Sequence, residues 1–317
     1  MNWGIIGYGT FAPKFIKSLL AVPGQRLYAI ASTSNYEKAA IDMPNVKIYN
    51  SYRDLVDDRN VDIIYICSTH NFHFEHAKLA LDAGKHVLCE KPLTPNWDQT
   101  VSLCKIAGDK GLFLMEGLWT RFLPAYRAMR DVVKNQKIGF IKYISTHFSF
   151  LNSWPPERRI LNKSLAGGAT YDVGIYNLSL ICDLLGYHPS NIVARAHLSS
   201  GGVDESCAVL LEYEDGRLGY SYCGIKLFTA HNAGIAGTDG FISMDPHWKP
   251  ESFVLNIEGE SIKEFSLPFI STGYYHEIEE VVSCIKQGLL ESPTMPLTDS
   301  IALSSIMQKI LIQINYF

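Results

Sequence analysis

Apolar residues recur along this chain in two rhythms, and the change between them divides it. Up to residue 120, short segments apolar on both faces (within 3–12, 26–32, 61–68, 86–89 and 112–115) alternate with segments whose apolar residues sit three and four apart, as in Phe15, Ile16, Leu19 and Leu20. Strands without a polar face belong inside a parallel sheet, and their alternation with helices, here over 74–83 with Gly84 as C-cap and over 96–108, predicts βαβ units. Beyond a helix over 125–134 the strands lengthen and follow one another: 140–150, 191–198, and a hairpin over 207–225 that turns at Asp215-Gly216. That pattern predicts an α+β domain with a largely antiparallel sheet. The fold expected is α/β: a doubly wound, parallel-sheet domain over residues 1–120 and an α+β domain with a large, mostly antiparallel open sheet over 121–317. A helix over 167–185, capped by Gly186, interrupts the second domain's strands.

The first strand runs into Gly7, Gly9 and Ala12, a GxGxxA pattern set between strand and helix. Gly7 permits the tight turn, Gly9 lets a pyrophosphate approach the backbone, and small Ala12 allows close packing, with the phosphates on the helix N-terminus. The second strand ends in Ser32, Thr33, Ser34 and Asn35, with Lys38 a turn later and no acidic residue where NAD-selective sites place one. This favours NADP; the other reading is a hydroxyl-rich turn capping the next helix, which leaves NAD open. After 61–68 the chain passes through Ser68, Thr69, His70, Asn71, Phe72 and His73, polar residues suited to a nicotinamide, although His73 serves equally well as a helix cap. The strand over 86–89 ends in Glu90, Lys91 and Pro92, which aims a stiffly based ammonium from the carboxyl edge of the sheet, where ligands bind in such folds.

On the helix over 167–185, Asp172 and Tyr176 lie four apart and share a face. Taken alone, that pair reads first as an N-terminal helix acid and a core tyrosine. Trp119, Arg121, Trp154, Arg158 and Arg159 are candidates for the substrate side, with a surface reading preferred for Arg158 and Arg159.

The 317 residues carry a net charge of −4 without acidic or basic runs, so neither a nucleic-acid face nor a polybasic membrane patch is signalled. Seven scattered cysteines without a CxxC pair suit a reduced, cytoplasmic protein with no structural metal. The chain enters its first strand without a basic, apolar leader, so secretion and membrane spanning are not expected.

GYGTFA (7–12), the EKP of Glu90–Pro92, and GGATYDVGIY together resemble the glucose-fructose oxidoreductase and inositol dehydrogenase family. The resemblance runs nearly end to end. Met115–Ala125 and the ending from Tyr274 look most like its dihydrodiol dehydrogenase branch. It implies Lys91, Asp172 and Tyr176 at catalytic positions. The cofactor would be held by Gly7, Gly9, Thr10, Phe11, Ala12, Ser32, Thr33, Ser34, Lys38, Ser68, Thr69, Asn71, His73, Glu90, Lys91, Trp119 and Arg121. His70 departs from the proline expected there. The implied activity is hydride transfer between NADP (NAD possible) and a sugar, polyol, dicarbonyl or dihydrodiol, with Tyr176 exchanging the proton beside Lys91. The implied assembly is a homodimer through the second domain's sheet, with Val209 and Leu211 read as its apolar face. The rival functions are an NAD-linked inositol or sugar dehydrogenase and a non-catalytic NADP(H) sensor.

Overall fold

The computed structural model describes residues 1–155 and 158–317. The chain forms two compact units, one of Met1–Trp119 with Phe269–Ile301, the other of Thr120–Pro268 with Ala302–Phe317. A single cut after residue 120 therefore misassigns 269–301, which return to the first unit. Local pattern does not encode that return; the partner of the returning segment is set by long-range packing.

In the first unit, β1 (Asn2–Ile6), α1 (Ala12–Leu19), β2 (Arg26–Ala31), α2 (Tyr36–Asp42), β3 (Lys47–Tyr49), α3 (Tyr52–Val56), β4 (Ile63–Ile66), α4 (His73–Asp82), β5 (His86–Glu90), α5 (Trp97–Lys110) and β6 (Leu114–Gly117) follow in order. The strands pair in parallel as β3-β2-β1-β4-β5-β6. The order reverses between β1 and β4, which opens a ligand crevice at their carboxyl ends. Every residue of β4 is buried, and Ile6, Ile64, Ile66, Val87 and Leu114 join one apolar core. Phe15 of α1 stacks on Tyr65 with ring centres 3.6 Å apart, and Tyr274 meets its edge at 6.0 Å.

The second unit begins with α6 (Pro124–Lys134) and β7 (Ile141–Ser149). A π-helical turn, Thr170–Gly174, leads into α7 (Ile175–Leu185), so the helix expected over 167–185 starts with a wider winding. Strands β8 (Asn191–Leu198), β9 (Asp204–Glu212), β10 (Leu218–Gly224), β11 (Ala233–Gly237), β12 (Gly240–Met244), β13 (Ser252–Ile257) and β14 (Lys263–Ser266) complete an eight-stranded sheet of order β14-β13-β12-β11-β7-β10-β9-β8. It is antiparallel except where β10 runs parallel to β7. In the first unit α8 (Tyr274–Lys286) follows, and the division falls within α9 (Leu297–Gln313), between Ile301 and Ala302. The Gln313 amide accepts from Ala194 N at 2.9 Å and donates to Ile192 O at 2.7 Å along β8.

Helix α7 covers one face of this sheet; Gly219 of β10 lies so close under Ile181 that a Cβ would collide with it. Val209 and Leu211, buried to 3% and 0% exposure, share the side of Gly219 by strand register. They are core residues and do not form the open apolar face assigned to them from alternation. The opposite face carries Tyr143, Val193, Leu218 and Phe241, all exposed, with Tyr220 and Tyr222 half-buried among them. Among the described residues no helix is long and apolar enough to cross a membrane.

Candidate active site

The turn after β1 is shaped by the turn after β4. Gly7 has φ +97°, and a Cβ there would lie 3.0 Å from Ser68 N and 3.1 Å from the Cys67 carbonyl, so a side chain would be both strained and crowded. At Gly9 a Cβ would meet no neighbouring atom within 4 Å, which leaves its backbone open to approach. Thr10 and Phe11 are exposed, and Ala12 is buried at the start of α1, where free N–H groups favour an anion. These residues fit a dinucleotide diphosphate.

The end of β2 divides its hydroxyls. Ser32 is 1% exposed and its Oγ accepts from Asn35 N at 3.1 Å, which closes the turn before α2 without capping that helix. Thr33 Oγ1 meets the Tyr52 hydroxyl at 3.1 Å, while Ser34 and Lys38 are exposed. Tyr8, which no motif singled out, is buried within the glycine turn; its hydroxyl donates to Asp42 at 3.1 Å and its carbonyl accepts from Asn35 at 3.0 Å. Burial and the Asp42 carboxylate push its phenol up to about 12. The Lys38 ammonium lies 5.9 Å from the Tyr8 ring centre.

Between β4 and α4, His73 is fully buried, with Nδ1 2.8 Å from Pro92 O and Nε2 3.1 Å from Ser68 O. It ties two turns together and makes no side-chain cap on α4. Thr69 donates to Asn71 at 2.8 Å, and His70, 5% exposed, has its ring centre 5.5 Å from that of His73. At the tip of β5 Glu90 accepts from the Tyr65 hydroxyl at 2.6 Å, and Leu93 N donates to Glu116 at 2.9 Å. Lys91, 8% exposed, thus stands on a turn anchored on both sides.

Two further cofactor candidates are deeply buried. Trp119 is 5% exposed and stacks on Tyr274 at 5.1 Å, with Gly273 pressed against its ring. Arg121 is 1% exposed; it donates to Ser179 at 3.2 Å and to the Tyr187 hydroxyl, and lies 3.9 Å from Asp183. Each is thus held firmly within its own unit, the first by aromatic stacking and the second by hydrogen bonds.

In the second unit, Asp172 sits in the π turn and Tyr176 at the start of α7, both half-buried. Arg159 Nη2 donates to Asp172 Oδ1 at 2.7 Å, with the two side chains 24% and 14% exposed. The surface reading holds for the exposed Arg158 but not for Arg159. The Tyr176 ring lies 5.8 Å from Phe148 and 6.2 Å from Trp248, which stack on each other at 4.9 Å. His231 donates through Nε2 to Ser149 O at 2.7 Å and accepts at Nδ1 from Trp248 at 3.4 Å, which orients its ring. Thr120 Oγ1 donates to the Trp248 carbonyl. Phe148, His231 and Trp248 were not legible as site residues, since the stretch over 228–248 carries no motif. A half-buried phenol on an aromatic wall, with a carboxylate one turn before it, suits proton exchange with a ring-shaped molecule. Lys91 belongs to the other unit. Among the described residues no cluster of His, Cys, Asp and Glu could hold a metal ion.

Residues 1–118 match the oxidoreductase family with an NAD-binding Rossmann fold, and residues 126–243 match the GFO/IDH/MocA C-terminal domain. The chain is 33% identical to the trans-1,2-dihydrobenzene-1,2-diol dehydrogenase of Xenopus tropicalis, over 99% of this chain and 98% of the relative. It is also 33% identical to that of Mus musculus, over 98% and 95%. Its fold matches a 3-ketoreductase from Actinomadura kijaniata solved in complex with NADP and TDP-benzene (TM-score 0.89, 24% identity, 99% and 98% covered). An aldose-aldose oxidoreductase from Caulobacter crescentus matches as well (TM-score 0.89, 21% identity, 99% and 97% covered). With both of its domains and nearly its whole length matched, the chain belongs to the GFO/IDH/MocA family of NAD(P)-binding oxidoreductases.

Proposed function

We propose that the protein is an NADP-preferring dehydrogenase or reductase that moves hydride between the nicotinamide and a CH–OH or C=O group of a small ring-shaped sugar, polyol or dihydrodiol. The observation that carries the reading is the Tyr176 phenol, seated against Phe148 and Trp248 with Asp172 one turn before it, in a chain whose full-length relatives are dihydrodiol dehydrogenases. The bound cofactor supplies the hydride or accepts it. Tyr176 gives or takes the proton of the reacting oxygen. Lys91 offers positive charge to the oxyanion that develops there, and an ammonium of this kind also favours the phenolate of a tyrosine. Asp172 orients Tyr176's end of the helix, itself held by Arg159. Phe148 and Trp248 present flat faces that pack on a ring and exclude water from it.

The preference for NADP rests on the end of β2. No acidic residue occupies 32–35, and Asp42, at the end of α2, is engaged by Tyr8. Thr33, Ser34 and Lys38 would receive the 2′-phosphate. A homodimer through the open sheet face is proposed from Tyr143, Val193, Leu218 and Phe241. Fluorescence titration with NADPH and NADH, followed by NADPH consumption over a panel of aldoses, dicarbonyls, inosones and quinones, tests the reading. NADPH binding more tightly and turnover of at least one ring substrate are expected. Equal or tighter NADH binding refutes the cofactor preference, and silence across the panel favours a non-catalytic sensor.

A further inference from the structure

Asp204 opens β9 and lies beneath the turn that carries Asp172. It is completely buried, and its Oδ2 accepts from both the backbone N–H and the hydroxyl of Thr170, each at 2.7 Å. Thr170 is the first residue of the π turn and stands six residues before Tyr176. Gly168, at φ +110°, passes directly over the carboxylate: any Cβ there would collide with Asp204 Oδ1. The same glycine donates its N–H to Ile160 O at 2.8 Å and accepts from Asp172 N at 3.2 Å, and Tyr316 donates its hydroxyl to Gly167 O at 2.8 Å.

A carboxylate in this position is costly to keep. Among the described residues Oδ1 has no hydrogen-bond partner, and burial raises the acid to about 6. An apolar side chain in its place would avoid that cost but leave both Thr170 donors without their acceptor. What the carboxylate provides is local. A π turn is an irregular winding that recurs at functional sites and whose first N–H groups have no partner within it; Asp204 holds one of them, together with the hydroxyl of the same residue, from a strand of the sheet.

We propose that Asp204 is a positioning residue for Tyr176: by holding both donors of Thr170 it sets the π turn, and through it the placement of Asp172 and of the Tyr176 phenol against Phe148 and Trp248. The proposal rests on the reading of Tyr176 as proton donor, but it has a readout that does not depend on turnover.

The protein is labelled with 3-fluorotyrosine, and the Tyr176 resonance is assigned by its loss in Tyr176→Phe. In Asp204→Ala, and in Thr170→Val if the alanine variant does not fold, the Tyr176 resonance is displaced or broadened. Asp204→Asn, which keeps an acceptor oxygen, restores it towards the parent position. With a substrate of the panel that the parent turns over, Asp204→Ala lowers kcat about tenfold while KM stays within about twofold, the split expected when a group acts on the transition state and not on binding. A folded Asp204→Ala or Thr170→Val protein with the Tyr176 resonance unmoved overturns the proposal. A resonance that moves in a protein whose parent turns over none of the panel upholds the positioning and defeats the proton-donor reading instead.

Discussion

The ion pair between Arg159 and Asp172 gives the sharpest test of how the π turn is held. Replacing Arg159 by Met keeps the length and packing of the side chain and removes the donor. A hydrogen bond to a charged group contributes about 1.5–3 kcal/mol when shielded. With the side chains 24% and 14% exposed, partial solvation lowers this contact to about 1–2 kcal/mol. For a unit of this size that corresponds to a fall of about 2–8 °C in its unfolding midpoint. Asp172→Asn leaves the guanidinium facing a neutral amide and should lose a similar amount. The double variant isolates the pair: a coupling energy of about 1–2 kcal/mol by calorimetry, set against the few tenths seen between independent sites. In turnover, Arg159→Met should lower kcat about 10- to 100-fold, because a misplaced orienting group costs rate steeply. Additive single effects together with parent kcat in Arg159→Met would show that Asp172 is oriented without Arg159 and would return that arginine to the surface.

Lys91→Ala should cut kcat about 100-fold or more with NADPH affinity nearly intact; a loss confined to NADPH binding would make Lys91 a phosphate ligand. Tyr176→Phe keeps the ring against Phe148 and Trp248, so it should fold normally and lose about 100-fold in kcat, whereas Tyr176→His should be the more active of the two and work best near the histidine pKa of about 6.5. Parent-like turnover by Tyr176→Phe would make that tyrosine structural. Burial pushes His76 down to about 4, with its Nδ1 accepting from Ser68 at 2.9 Å. Its folded value lies below its unfolded one, so it supports the fold fully above about pH 6.5 and that support is lost as pH falls towards 4. The difference amounts to about 3 kcal/mol at most, and His76→Gln should flatten the acid limb of the stability profile relative to the parent. Light scattering at micromolar concentration should report a dimer, and Phe241→Glu with Leu218→Lys should convert it to a monomer; a monomeric parent would refute the sheet-face assembly.

What the sequence made legible was local. The GxGxxA turn, the strand ending in Lys91, the Asp215-Gly216 hairpin and strand β8 are each written in neighbouring residues, where backbone demands and apolar spacing leave few alternatives. The contacts that shape the candidate site are not local. Arg159 reaches Asp172 across 13 positions and Asp204 reaches Thr170 across 34, distances over which an arginine or aspartate reads the same whether it faces water or a partner. Alternation along β9 defined two faces without saying which one a helix would cover, and so Val209 and Leu211 were placed on the wrong one. Trp248 stands in a stretch whose short strands, β11 and β12, have glycines where a longer apolar rhythm would have announced them.

The sheet of the second unit is open at both ends, and its two rims are guarded by different means. Along β8 the Gln313 side chain imitates a backbone: its amide answers one N–H and one carbonyl of the rim as a further strand would. The far rim, β14, carries Lys263 and Glu264 on exposed positions, with Lys263 paired to Glu260 at 2.7 Å. Charges of that kind discourage a second chain from docking strand to strand. A truncation that removes Gln313 would therefore do more than shorten a helix: it would leave the β8 rim as an unanswered template, and the first symptom would be insolubility, ahead of any loss of fold.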